Sequence, residues 1–66
     1  MNLEIGTEYL MEEELQVLCC SSILKPGEIV RIWNQTSKNR LIVCRTNGAL
    51  HKVKRSSLNR TAKEII

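Results

Sequence analysis

The chain has 66 residues, 42% of them apolar and 26% charged, which is room for one domain with one small core and argues against a disordered tail or a fibre. The longest uncharged stretch, residues 15–24, is too short to span a bilayer, and Glu4 and Glu8 stand where an export signal would carry lysine or arginine, so a cytoplasmic protein is expected. Charge is segregated: residues 1–24 hold five glutamates and no basic residue, whereas residues 25–66 hold ten basic residues against Glu28 and Glu64, which points to an anionic partner, nucleic acid first.

Thr7 is a plausible N-cap, followed by Glu8, Glu12, Glu13 and Glu14, good helix formers suited to a helix N-terminal half. Met11, Leu15 and Leu18 fall at i, i+4 and i+7, which predicts an amphipathic helix over roughly residues 8 to 19. Cys19, Cys20, Ser21 and Ser22 then read as a helix end and turn. Three cysteines, two of them adjacent, are not a disulfide framework. Cys19, Cys20, Cys44 and His51 could in principle hold zinc, but structural ligands normally come as spaced pairs, and neighbouring cysteines in a helix or strand point apart. Neither a metal nor another cofactor is expected, and the thiols read as small hydrophobes.

The segment from Lys25 to Thr36 supports two readings. As a strand it is rich in β-branched residues, with Val30 and Ile32 on one side and Ile29, Arg31 and Trp33 on the other. As a helix it has Pro26 at the first helical position, Glu28 in the first turn and an apolar face of Ile29, Val30 and Trp33.

Downstream, residues 40–46 and 49–54 flank Asn47-Gly48, a strong hairpin signal. A two-residue type I′ turn would set Thr46 opposite Ala49, Cys44 opposite His51 and Ile42 opposite Val53. Ser56 or Ser57 can then cap a short helix through Leu58, Ala62 and Ile65. The chain contains no aspartate, a single histidine and no serine in a nucleophile context, so no catalytic constellation is found and no enzyme is expected.

Tyr9-Leu10 ahead of Glu12-Glu13-Glu14-Leu15, Val30 and Trp33 in the middle segment, and Gly48, His51, Val53 and Ser56 to Leu58 beyond it resemble, in order and spacing, the phage excisionase family within the MerR-like winged helices. The resemblance implies an α+β winged helix-turn-helix domain of two helices, a β-hairpin wing and a short C-terminal helix, and it favours a helix for residues 26 to 36. It further implies a recombination directionality factor in the host cell and its nucleoid. Such a protein binds and bends double-stranded DNA, cooperates with a tyrosine integrase and neighbouring copies, and in some cases represses transcription. On that reading Trp33 is core, and Glu28, Arg31, Asn34 and Gln35 form the exposed face of a recognition helix suited to base edges. Arg40, Arg45, Asn47, Gly48, Lys52, Lys54 and Arg55 would lie on or beside a wing that grips phosphates. The segment from Arg60 to Ile66 would offer Ile65 and Ile66 as a cooperative contact. A second reading makes residues 23 to 58 an SH3-like barrel that binds RNA or a protein partner, with the turn and first strand at Leu24-Lys-Pro-Gly-Glu-Ile-Val.

Overall fold

The computed structural model, which describes residues 3–65, is mostly β, with strands making up about half of the described residues. In order they are β1 (Glu8–Met11), β2 (Leu15–Gln16), β3 (Ile23–Leu24), β4 (Ile29–Ser37), β5 (Arg40–Arg45) and β6 (Leu50–Lys54), then one helix, α1 (Arg55–Thr61), and β7 (Ala62–Glu64). Five of them form one antiparallel sheet in the order β6-β5-β4-β1-β7, and β2 and β3 pair as a separate hairpin. The hairpin excursion reaches the far edge of the sheet, where the Leu18 N–H donates to the Lys52 carbonyl of β6 at 2.7 Å. Sheet, excursion and helix enclose one core in an SH3-like layout, closer to the second of the two sequence readings than to the first, although β1 and β7 lie outside the residues 23 to 58 that it assigned to the barrel.

This overturns the winged helix-turn-helix expectation and the excisionase resemblance built on it, since α1 is the single helix among the described residues. The decisive turn is Lys25-Pro26-Gly27-Glu28. Glu28 donates its N–H to the Lys25 carbonyl at 3.2 Å, and Gly27 has φ +91°, the left-handed value that a type II turn requires after proline. Pro26 therefore starts a reversal rather than a helix. The chain leaves the turn extended, with Val30 and Ile32 buried and Ile29, Arg31 and Trp33 facing out.

The expected first helix fails for a related reason. Its apolar residues also obey a period of two, and Tyr9, Met11, Leu15 and Val17 are all buried while Leu18 is exposed. Glu12 to Glu14 lie between β1 and β2 instead of on a helix face. A C-terminal helix is present but ends at Thr61, so Ala62 and Ile65 are not on it and Ala62 opens β7; its N-cap is Lys54 without a side-chain cap bond, so neither Ser56 nor Ser57 caps it.

The hairpin of β5 and β6 forms as expected, in a different register. Among the described residues none other than glycine has positive φ, which excludes the type I′ turn with both Asn47 and Gly48 left-handed. Instead the Gly48 N–H bonds the Arg45 carbonyl at 2.9 Å, Gly48 takes φ +89°, and Arg45 donates to the Ala49 carbonyl at 2.9 Å. This three-residue loop shifts the pairing by one: Cys44 opposes Leu50, Val43 opposes His51 and Leu41 opposes Val53. His51 thereby turns inward, onto the buried face with Leu41, Val43 and Val53.

The core comprises these strand residues with Tyr9, Met11, Val30 and Ile32 from the neighbouring strands, Leu15, Val17 and Leu24 from the excursion, and Leu58 from the helix. Each large side chain buried in this way contributes about 1.5–3 kcal/mol. Burial, with the nearby Glu64 and Glu4 carboxylates adding to it, raises the pKa of the Tyr9 phenol, which stays neutral across the physiological range.

Candidate nucleic-acid interface

The outward side chains of the large sheet are set in rows by the strand register. One row runs Lys63, Leu10, Ile29. The next runs Glu8, Arg31, Cys44, Leu50, followed by Asn34, Ile42, Lys52 and then Ser37, Arg40, Lys54. The pairing of β4 with β5 shifts between Ile32 and Asn34, so Trp33 is the extra residue of a β-bulge and stands beside the two middle rows. It is 55% exposed, so the expectation of a core tryptophan does not hold. A shallow depression at its foot is lined by Glu8, Ile29, Arg31, Cys44 and the Gly48 turn.

The face has a chemical gradient. Around Trp33 it is apolar, with Ile29 and Leu50 exposed and Leu10 and Ile42 half-buried. At one end it is basic: Arg40 and Lys54 are direct cross-strand partners, and Lys52 projects from the adjacent row. None of these three has a carboxylate within ion-pair distance among the described residues. Arg31, beside Trp33, does have one, Glu8 at 3.6 Å, but both side chains are about half exposed and such a pair is weak in water. The arrangement offers a flat aromatic surface flanked by cations, the combination that receives an unpaired base and its neighbouring phosphates.

The residues assigned to a recognition helix and a wing separate into two groups. Arg31, Asn34, Arg40, Lys52 and Lys54 come together on the outer face, around Trp33. Gln35 lies farther along β4, its side-chain amide bonded to the Ser37 carbonyl at 3.1 Å. Glu28 and Arg45 leave the set, because they pair with each other at 2.7 Å at the end of the barrel. Asn47 is absorbed by its own turn, its side-chain oxygen accepting the Ala49 N–H at 2.9 Å, and Gly48 serves the turn through its backbone. Arg55 begins α1, where its N–H bonds the Asn39 carbonyl at 2.9 Å. The recognition-helix and wing reading missed Trp33, Ile29, Ile42 and Leu50 as surface groups. The signal was the alternation of residues 29 to 33, which as a strand sets Ile29, Arg31 and Trp33 on one side.

A second cluster lies at the β6 edge, around the inward-facing His51. The Cys19 and Cys20 sulfurs are 3.9 Å apart, and the Cys20 Sγ is 3.8 Å from Nδ1 of His51. Hydrogen bonds from the Ser22 side chain and backbone lower the pKa of the Cys20 thiol. Cys44 is not part of this group, since it projects from the outer face opposite Leu50. No helix among the described residues is long and apolar enough to cross a membrane. No family model, curated protein or solved structure matches the chain.

Proposed function

We propose that this domain is a non-enzymatic module that binds single-stranded nucleic acid, RNA foremost, across the outer face of its sheet. The observation that carries the reading is the placement of Trp33: it is the single tryptophan of the chain, stands more than half exposed on a strand, and is flanked by Arg31 and the unpaired Lys52, Lys54 and Arg40. Trp33 shares its patch of the sheet with exposed Ile29 and Leu50, and a contiguous apolar patch of this kind marks a binding surface; base–aromatic stacking is worth about 1–3 kcal/mol per base. The strand supplies a backbone held on both sides by the sheet, from which the ring projects, while the lysines reach phosphates without demanding a sequence. The partnership with an integrase rested on the winged-helix resemblance and forms no part of this reading. Duplex DNA becomes a comparison in the test.

Trp33 also provides the assay. Titrating the protein with single-stranded RNA, single-stranded DNA and duplex DNA of matched length is expected to quench Trp33 fluorescence with the RNA, more weakly with the duplex. The affinity should fall with salt at about 0.7 logarithmic units per phosphate engaged. Unchanged fluorescence with all three, or preference for the duplex, would overturn the reading.

A further inference from the structure

We propose that Cys19, Cys20 and His51 form a site for one zinc ion, with a fourth position open to solvent. The site lies apart from the outer sheet face and does not depend on the nucleic-acid reading. The three donor atoms come from two elements and lie within 4.8 Å of one another. Zinc–sulfur and zinc–nitrogen bonds of about 2.3 and 2.0–2.1 Å place tetrahedral ligands roughly 3.8 Å apart for two sulfurs and roughly 3.6 Å apart for sulfur and nitrogen. The sulfur–sulfur separation of 3.9 Å and the Cys20 Sγ–Nδ1 separation of 3.8 Å are close to those edges, and the Cys19–His51 edge, within 4.8 Å, closes as the metal draws the Cys19 sulfur in.

The objection that adjacent cysteines point apart applies to regular helix and strand. Residues 18–21 form a bend, which lets both thiols aim the same way. The third donor depends on the hairpin register: paired with Val43 rather than Cys44, His51 faces inward beneath the excursion and is 8% exposed, so its ring has little freedom. The bend is held over β6 by the main chain, through the Leu18 N–H to the Lys52 carbonyl at 2.7 Å. The Lys52 N–H in turn points at the Cys19 sulfur at 3.5 Å, which fixes that sulfur against β6. A metal on Nδ1 fixes the proton of His51 on Nε2. Two thiolates and an imidazole suit zinc rather than magnesium or calcium, and binding releases one proton from each thiol to solvent.

The test uses the full chain, kept reduced with a phosphine, and cobalt(II) as a spectroscopic stand-in. One equivalent of cobalt should produce the absorption of a tetrahedral thiolate-bound ion, and one equivalent of zinc should abolish it. Cys19→Ser and Cys20→Ser should each remove the signal, and Cys44→Ser should leave it. Cys19 and Cys20 are exposed, so these variants are expected to fold, which circular dichroism checks. Nitrogen NMR of the His51 ring should show Nδ1 shifting on zinc addition. The proposal is overturned by no stoichiometric signal, by a signal that survives Cys20→Ser or needs Cys44, by an unmoved Nδ1, or by saturation at half an equivalent, which would place the ion between two chains.

Discussion

Glu28 and Arg45, seventeen residues apart, meet through one carboxylate oxygen: Oε1 of Glu28 accepts from Arg45 Nε at 2.9 Å and lies 2.7 Å from Nη2. The other oxygen accepts the Lys25 N–H at 2.7 Å, so the carboxylate closes its own turn and ties it to the end of β5. Two residues whose charges suggested separate roles toward DNA thus satisfy each other and hold the entry to β4.

That pair gives the domain a pH dependence of definite sign. Burial alone would raise the pKa of Glu28, but the Lys25 N–H and the Arg45 guanidinium outweigh it and hold the group below its ordinary value of 4.5. A carboxylate lowered on folding adds stability above its unfolded pKa and loses it as pH falls through the folded one. Glu28→Gln should therefore cost about 1–2 kcal/mol at pH 7, with the gap to the parent protein closing below pH 4.5. Urea unfolding at pH 7 and at pH 3 measures both; a gap of equal size at the two pH values would refute the assignment.

Trp33→Ala separates the two architectures directly. A core tryptophan in a winged helix would cost about 3–5 kcal/mol and unfold a domain of this size. On the outer face the substitution should change stability by no more than about 0.5 kcal/mol while weakening single-strand binding roughly 5- to 150-fold, the loss of one stacked base. Chemical denaturation, followed by circular dichroism, and binding anisotropy with a labelled oligonucleotide give the two numbers independently.

What was legible in the sequence follows from how local each signal is. The β5–β6 hairpin could be read because Asn47-Gly48 lies between two apolar runs, yet its register could not, since either glycine-containing loop satisfies the same residues. The segment through β4 was legible as a strand from its β-branched residues, and Pro26-Gly27 is the pair a type II turn wants; the same proline also suits a helix start, and the resemblance tipped the balance the wrong way. Residues 8 to 19 carry both periods at once. Only tertiary packing distinguishes them, because Met11 and Leu15 belong to either pattern, whereas Tyr9 and Val17 complete the alternating one. The basic face was visible residue by residue, but its assembly depended on the pairing of Arg40 with Lys54 and Ile42 with Lys52.

Arg40 and Lys54 are like charges placed directly opposite in register, an arrangement that is unfavourable by a few tenths of a kcal/mol. Lys54→Ala should accordingly leave the domain as stable as before or slightly more so, while reducing the salt slope of single-strand binding by about 0.7. Thermal melting and a salt series of titrations on the same preparation check both signs. A variant that is less stable and binds unchanged would show that Lys54 serves the fold.

The C-terminal segment is part of the fold rather than a free cooperative contact. The Thr61 carbonyl accepts the N–H groups of Glu12 and Glu13 at 2.7 and 3.0 Å, Ala62 is buried, and β7 pairs with β1 from Tyr9 to Met11. Of the two isoleucines considered for a contact, Ile66 lies outside the described residues, and Ile65 is exposed. Removing residues 62–66 takes away one edge of the sheet and uncovers β1, which carries Tyr9 and Met11 into the core. In a domain with only about 3–10 kcal/mol of total stability, that loss should abolish cooperative unfolding. Ile65→Ser, which keeps the backbone bonds, should cost no more than about 0.5 kcal/mol. Urea melts of the truncated chain and of the point variant decide the matter: a truncated chain that melts with the midpoint and slope of the full one would return the segment to the role of a free tail.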